Sequence, residues 1–222
     1  MKRKFNVKAE ADGEAPHKVV AQLMCEDYLR HKRSKSMKSK DIDIVDFARF
    51  VGLYVIASGN ELTYAKLQKL VYYCQAWYMV YFKKTLLFRE AAEAWIGGPV
   101  YRSLYEEFKG KAKFSTSTMS PVDLCPEATT DARLQAEMKR LRARMGLTPD
   151  DVELVDGVIS IYGSQSDAKL VILSHCEDPW VDARGDAEPF EYCDRKIDLE
   201  EVYAYYRKIR DNKRRLKHKT RA

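Results

Sequence analysis

The feature that most constrains this chain is a run of large apolar side chains between residues 63 and 82. They recur every three or four positions, as Leu67, Leu70, Val71, Cys74, Trp77, Tyr78 and Tyr81. This spacing predicts a helix over about 64–82 with Thr63 as its N-cap. Because apolar residues cover most of its circumference, other elements must cover the helix, and we expect it at the centre of the fold.

Most of the remaining sequence also has helical periodicity. Helices are predicted at about 18–30, 43–57, 99–110, 134–145, 148–162, 166–175 and 198–209. Residues 86–88 and 93–96 have strand character, residues 111–130 read as a loop, and Pro179-Trp180 is expected to break the chain. The predicted fold class is therefore mainly α: a compact helical domain with a small β-hairpin or short strands near 86–96.

Size and composition narrow the class of protein. The 222 residues allow one large domain or two small ones. The mean hydropathy is −0.49, no apolar run approaches the length of a bilayer span, and the N-terminus lacks the apolar segment of a secretory signal. The five cysteines and four histidines are scattered without a C-x-x-C pair or zinc-site spacing. We therefore expect a cytoplasmic protein with no membrane association, no metal and no cofactor.

Charge divides the chain into three parts. Residues 1–40 hold eleven Lys/Arg against five Asp/Glu, residues 205–222 hold nine against one, and residues 41–204 hold nineteen against twenty-seven. The predicted organisation is a basic, partly helical or flexible extension over 1–40, an acidic helical domain over 41–204 and a basic C-terminal helix end or tail over 205–222. The two ends either increase solubility or bind nucleic acid weakly and without sequence preference.

No catalytic motif is present. The sequence contains no phosphate-binding glycine loop, no G-x-S-x-G and no H-E-x-x-H. Ser174 and His175 could act as nucleophile and base, but adjacent residues rarely face each other, and a satisfied histidine near a helix end is the simpler interpretation. The sequence favours a protein that is not an enzyme.

Aromatic residues are abundant and clustered. Fourteen Tyr, eight Phe and three Trp concentrate at 72–82, 95–108 and 203–206. They either fill the core or leave an exposed patch that binds another protein. Stacking on nucleic-acid bases is the competing use, which the acidic central part disfavours.

Four ordered motifs resemble the Panacea domain, also called the SocA-like antitoxin domain. Residues 63–77 (TYAKLQKLVYYCQAW) are similar to its first signature, and residues 86–88 (LLF) to its next segment, although the usual proline is missing. Residues 93–101 (EAWIGGPVY) and 173–180 (LSHCEDPW) follow in the family's order. The resemblance covers about 44–108 and 150–181, and 111–146 is a less matched insertion.

The resemblance assigns a fold-defining role to the residues that match these motifs. They are Lys66, Leu67, Gln68, Lys69, Leu70, Tyr72, Tyr73, Gln75, Trp77, Trp95, Gly98, Pro99, Val100, Tyr105, His175, Pro179 and Trp180.

The resemblance also implies a function. It implies a bacterial or phage antitoxin without enzymatic activity, which neutralises a cognate toxin protein by direct binding. An adaptor that delivers the toxin to a protease, and a nucleic-acid-binding regulator that uses the basic ends, are the alternatives. The candidate partner-binding residues are Tyr101, Tyr105, Tyr28 and Arg30, together with the extension over 1–40.

Overall fold

The computed structural model describes residues 37–110 and 116–219, with side chains described as far as 212. Within these residues the chain forms nine helices and one two-stranded hairpin, which confirms the mainly α fold class. The predicted helix at 18–30, with Tyr28 and Arg30, lies outside the described residues.

The elements are α1 (Ile44–Ala57), α2 (Tyr64–Tyr81), β1 (Glu93–Trp95), β2 (Gly98–Val100), α3 (Arg102–Phe108), α4 (Pro121–Leu124), α5 (Asp131–Arg144), α6 (Pro149–Tyr162), α7 (Asp167–His175), α8 (Asp178–Arg184) and α9 (Leu199–Lys219).

Helix α2 occupies the centre of the fold, as its apolar pattern predicts. Helices α1, α6, α7 and α9 and strand β2 all pack against it. Fifteen of its eighteen residues are buried. Helix α1 extends this core outward, because α3, α4 and α5 pack against it.

Local sequence signals set where several helices begin. The Thr63 hydroxyl accepts a hydrogen bond from the Lys66 amide, as expected of an N-cap. Thr148 and Asp151 form a reciprocal capping box at the start of α6, with Pro149 in its first turn. These side chains satisfy amide groups that the helix itself leaves unpaired.

The hairpin lies later in the sequence than predicted. Strands β1 and β2 pair antiparallel, with Glu93 opposite Val100 and Trp95 opposite Gly98. Residues 86–88 form no strand of their own. Their backbone groups bond instead to residues 38–42 and to the side chain of Gln75, so periodicity alone placed the hairpin too early.

Two prolines have roles other than those predicted. Pro99 lies within β2, and the following helix begins at Arg102. Pro179 does not break the chain but stands in the first turn of α8, where its missing N–H costs nothing. The predicted loop over 111–130 also contains the short helix α4.

Two buried glutamines of α2 hold irregular backbone against the central helix. The Gln68 amide accepts a hydrogen bond from the Tyr101 N–H (2.9 Å) and donates one to the Tyr101 carbonyl (3.2 Å). Gln75 accepts from the Leu87 N–H (2.9 Å) and donates to the Phe88 carbonyl (2.8 Å). Each side chain therefore pairs with a segment as a neighbouring strand would.

Replacement of Gln68 by Leu should destabilise the protein by roughly 3 kcal/mol, because the buried N–H and carbonyl of Tyr101 lose their partners. Urea denaturation measures the free energy of unfolding. Gln135→Leu, at an exposed position of α5, is the control and should change stability by no more than about 0.5 kcal/mol. Equal effects of the two substitutions would contradict a structural role for Gln68.

Candidate functional site

The motif residues lie mostly in the interior of the protein. Trp95, Tyr105, His175 and Trp180 are half-buried. The others are buried: Lys66, Leu67, Gln68, Lys69, Leu70, Tyr72, Tyr73, Gln75, Trp77, Gly98, Pro99, Val100 and Pro179. Buried side chains influence a partner only through the surface that they support, so the surfaces outside the motifs are the places to look for recognition.

A close approach between α2, the hairpin and α7 requires glycine at position 98. Gly98 has a φ of +92°, a conformation that other residues rarely adopt. A Cβ atom there would stand 2.6 Å from Ser174 Oγ and 2.7 Å from Lys69 Cε. The Lys69 ammonium donates to the Pro99 carbonyl at 3.1 Å, and burial lowers the pKa of Lys69 to about 7.

An aromatic layer attaches the hairpin to α8. The His175 imidazole stacks on the Trp180 indole, with ring centres 4.0 Å apart. The Trp180 indole N–H donates to the Trp95 carbonyl at 3.2 Å. Burial, with a smaller contribution from nearby Lys69, lowers the pKa of His175 below its ordinary value.

Ser174 and His175 do not form a catalytic pair in this structure. The Ser174 side chain has no exposed surface, and its hydroxyl donates to the Val171 carbonyl at 3.0 Å. A nucleophile must reach its substrate, which this serine cannot do without a rearrangement of the core. Among the described residues, no group of three His, Cys, Asp or Glu side chains is arranged to hold a metal ion.

A buried carboxyl group joins α9 to the central helix. Glu177 lies beside tyrosines of two elements, and the Tyr206 hydroxyl donates to its Oε1 atom at 2.7 Å. The Tyr72 and Tyr73 hydroxyls interact with the same carboxylate, although neither makes a hydrogen bond of normal geometry within the described residues. Burial raises the pKa of Glu177 to about 7, against the opposing effect of the Tyr206 hydrogen bond.

The two described partner-binding candidates differ in accessibility. Tyr101 is buried, so its side chain offers no surface to a partner in this structure. Its ring packs edge-on against Phe88, where it fills the core. Tyr105 is half-buried, with its ring 4.9 Å from that of Trp95 and the Lys109 ammonium 5.5 Å from its centre. Tyr105 therefore stays a prediction.

The structure reveals an apolar groove that the sequence did not predict. Its volume is about 540 Å³, and α2, α6 and α9 contribute residues to its walls. Tyr81 and Ile161, at its edge, are 57% and 54% exposed. The one sequence feature that could have indicated this groove is Gly157, a glycine inside a helical pattern. We call this surface the α2–α6–α9 groove; its lining residues are Trp77, Tyr81, Phe82, Asp150, Glu153, Leu154, Gly157, Val158, Ile161 and Arg210.

No helix within the described residues has both the length and the apolar character needed to cross a bilayer.

The carboxyl group of Glu177 should give the protein a distinct pH dependence. The folded state holds this proton more tightly than the unfolded chain, in which the pKa is near 4.5. The contribution of Glu177 to stability is therefore greatest below about pH 4.5 and is lost as the pH rises to about 7. Glu177→Gln removes this dependence, so the variant should gain roughly 3 kcal/mol relative to the wild type between these pH values.

Urea denaturation of both proteins at several pH values measures this difference. Glu127→Gln, at an exposed carboxylate between α4 and α5, is the matched control and should follow the wild type throughout. A constant offset between Glu177→Gln and the wild type would show that Glu177 has its ordinary pKa in the folded state.

Comparison with known proteins gives one match. No curated protein and no solved structure matches the chain. A family model described as "Antitoxin SocA-like, Panacea domain" matches residues 67–181. This range contains α2 from its first turn, the hairpin, Ser174, His175 and the start of α8, which together form the packed centre described above. The chain therefore belongs to the Panacea family of SocA-like antitoxin domains.

Proposed function

We propose that this protein is an antitoxin that neutralises a cognate toxin protein by direct binding in the cytoplasm, without enzymatic activity. Family membership is the observation that carries the proposal. The structure supports it in two ways. The residues of the matched motifs are mostly committed to internal packing, and the exterior offers an apolar groove of a size suited to protein side chains.

The α2–α6–α9 groove has the composition of a protein-binding surface. Its floor is aromatic and aliphatic, and exposed apolar surface of this kind is characteristic of sites that bind other proteins. Asp150 and Glu153 make the groove acidic, and within the described residues neither forms an ion pair. The Arg210 guanidinium is already occupied, because it donates to the Val80 carbonyl (3.0 Å) and to Asp211 (2.9 Å). The groove therefore favours an apolar side chain flanked by Lys or Arg.

Gly157 adds a second argument for a partner at this groove. Glycine inside a helix costs about 1 kcal/mol relative to alanine. A Cβ atom at Gly157 would meet no atom within 4 Å among the described residues, so packing within the chain does not require glycine here. A partner that approaches the α6 backbone closely would require it.

Two alternatives to direct neutralisation can be tested. One predicts a change in the amount of toxin in the cell, and the other predicts salt-dependent binding to DNA. If the protein were an adaptor for a protease, it would lower the amount of toxin in the cell as well as its activity. A nucleic-acid-binding regulator is favoured by α9, which continues as a helix to Lys219 through the basic sequence of residues 213–219. Such a regulator would bind operator DNA more tightly than random DNA, and its binding would weaken steeply with added salt.

Co-expression with the product of the adjacent reading frame tests the proposal. The wild-type protein should restore growth to cells that produce this neighbour and should co-purify with it. Gly157→Leu fills the groove and should abolish or strongly weaken both effects without loss of folding, because the position is open. Ala136→Leu, at an exposed position of α5, should behave as the wild type. No protection by the wild-type protein would overturn the proposed function.

A further inference from the structure

The turn between α8 and α9 displays an aromatic side chain to solvent. Phe190 is 88% exposed, the highest value among the large hydrophobic residues that the structure describes as exposed. Its neighbours in the sequence are Pro189 and Glu191, within the segment DAEPFEYCD over residues 186–194. We call residues 186–194 the Phe190 turn. A single exposed Phe is common on protein surfaces and does not by itself indicate a binding site. The additional observation here is that hydrogen bonds fix the backbone that carries it.

A buried arginine fixes the backbone on both sides of Phe190. The Arg184 side chain donates from Nη2 to the carbonyls of Glu188 (2.6 Å) and Glu191 (3.0 Å), and from Nη1 to the Ala94 carbonyl (3.1 Å). Arg184 is only 5% exposed, and its guanidinium lies 5.3 Å from the centre of the Trp180 ring. Burial of a charged group is costly unless it forms hydrogen bonds, and here three carbonyls accept hydrogen bonds from the two Nη atoms.

Further contacts hold the two ends of the Phe190 turn. Arg195 donates to the Arg184 carbonyl at 2.8 Å and pairs with Asp186 at 2.7 Å. The Tyr192 hydroxyl accepts a hydrogen bond from Arg102 at 2.9 Å, and the Tyr192 ring lies edge-on to Trp95. Within the turn, the Glu191 carboxylate accepts from the Glu188 N–H at 3.0 Å. The backbone that carries Phe190 is therefore tied to the hairpin, to α3 and to α8.

A fixed aromatic side chain is suited to protein recognition. Binding free energy concentrates in a few large anchors that enter pockets of the partner, and aromatic residues are frequent among them. Ordering a loop on binding costs entropy, and a loop that is already held avoids much of this cost. The Phe190 turn has both properties, because its anchor is exposed while its backbone is constrained.

The charge around Phe190 specifies the partner's chemistry. Glu188 and Glu191 flank it, and Asp194 lies near the end of the turn. Two of the nearby cations are paired: Arg195 with Asp186 at 2.7 Å, and Arg102 with Glu93 at 2.6 Å and with Asp194 at 3.9 Å. The acidic character beside the ring therefore rests on Glu188 and Glu191. A second copy of this chain is a poor partner, because its α2–α6–α9 groove carries acidic Asp150 and Glu153 and would repel an acidic turn.

We propose that the Phe190 turn inserts into the toxin, with Phe190 filling an apolar pocket that is rimmed by Lys or Arg. This inference rests on the proposed function and adds a second contact to the one at the groove. The acidic flanks steer the turn to the basic rim, and the phenyl ring supplies the apolar contact. Arg184 acts as a positioning residue that holds the turn in its binding conformation.

The dissociation constant between this protein and the purified product of the adjacent reading frame tests the inference. Phe190→Asp should weaken binding at least tenfold, and Glu188→Lys should weaken it and make it less sensitive to salt. Ile172→Asp, at an exposed apolar position of α7, is the matched control and should change the constant less than twofold. Both aspartate variants replace exposed side chains, so their melting temperatures should match that of the wild type.

The outcomes separate this inference from the proposed function. If the wild type and Phe190→Asp bind the neighbouring product equally and protect cells equally, the inference is wrong and the proposed function stands. If the wild type neither binds nor protects, both are wrong. Loss of binding by Ile172→Asp to the same extent would also overturn the inference, because the effect would then belong to added charge and not to the Phe190 turn.

Discussion

The rest of the structure depends on the burial of polar side chains along the central helix. Helix α2 is surrounded on most sides, yet Gln68, Lys69 and Gln75 point into the interior. Gln68 and Gln75 bond to the backbone of irregular segments, at Tyr101 and at residues 87–88. Lys69 donates to the Pro99 carbonyl within the short strand β2. A fold with so little sheet would otherwise leave these backbone groups unpaired in the core. The polar motif residues thus allow segments without regular secondary structure to pack against α2, because they pair the backbone groups of those segments.

The residues that stabilise the fold are mostly different from the residues that we propose bind the toxin. The buried motif residues define a frame. The Phe190 turn lies beyond the matched range 67–181, whereas the α2–α6–α9 groove lies mostly within that range, with Trp77 as the motif residue among its lining residues. Arg184 connects the buried frame to the Phe190 turn. Its buried guanidinium donates to the Ala94 carbonyl of the hairpin and to the two carbonyls beside Phe190. A frame of this kind can support different surface residues, which suits the proposed binding of a partner protein.

The α2–α6–α9 groove and the Phe190 turn both carry acidic side chains. The groove carries Asp150 and Glu153, and the Phe190 turn carries Glu188 and Glu191. Both therefore favour a basic partner, in agreement with the excess of acidic residues over 41–204. Like charge also disfavours association of the turn of one molecule with the groove of another.

The sequence by itself determined the helical class, the central position of α2, and the N-caps at Thr63 and Thr148, because these follow from local periodicity and from hydrogen bonds between near neighbours. It did not determine the hairpin's place, the burial of Tyr101 or the start of α8 at Asp178. Those depend on which backbone groups distant side chains such as Gln68, Gln75 and Trp180 reach. The groove, and the turn that carries Phe190, were likewise decided only in the tertiary structure, because exposure results from how elements far apart in the chain cover one another.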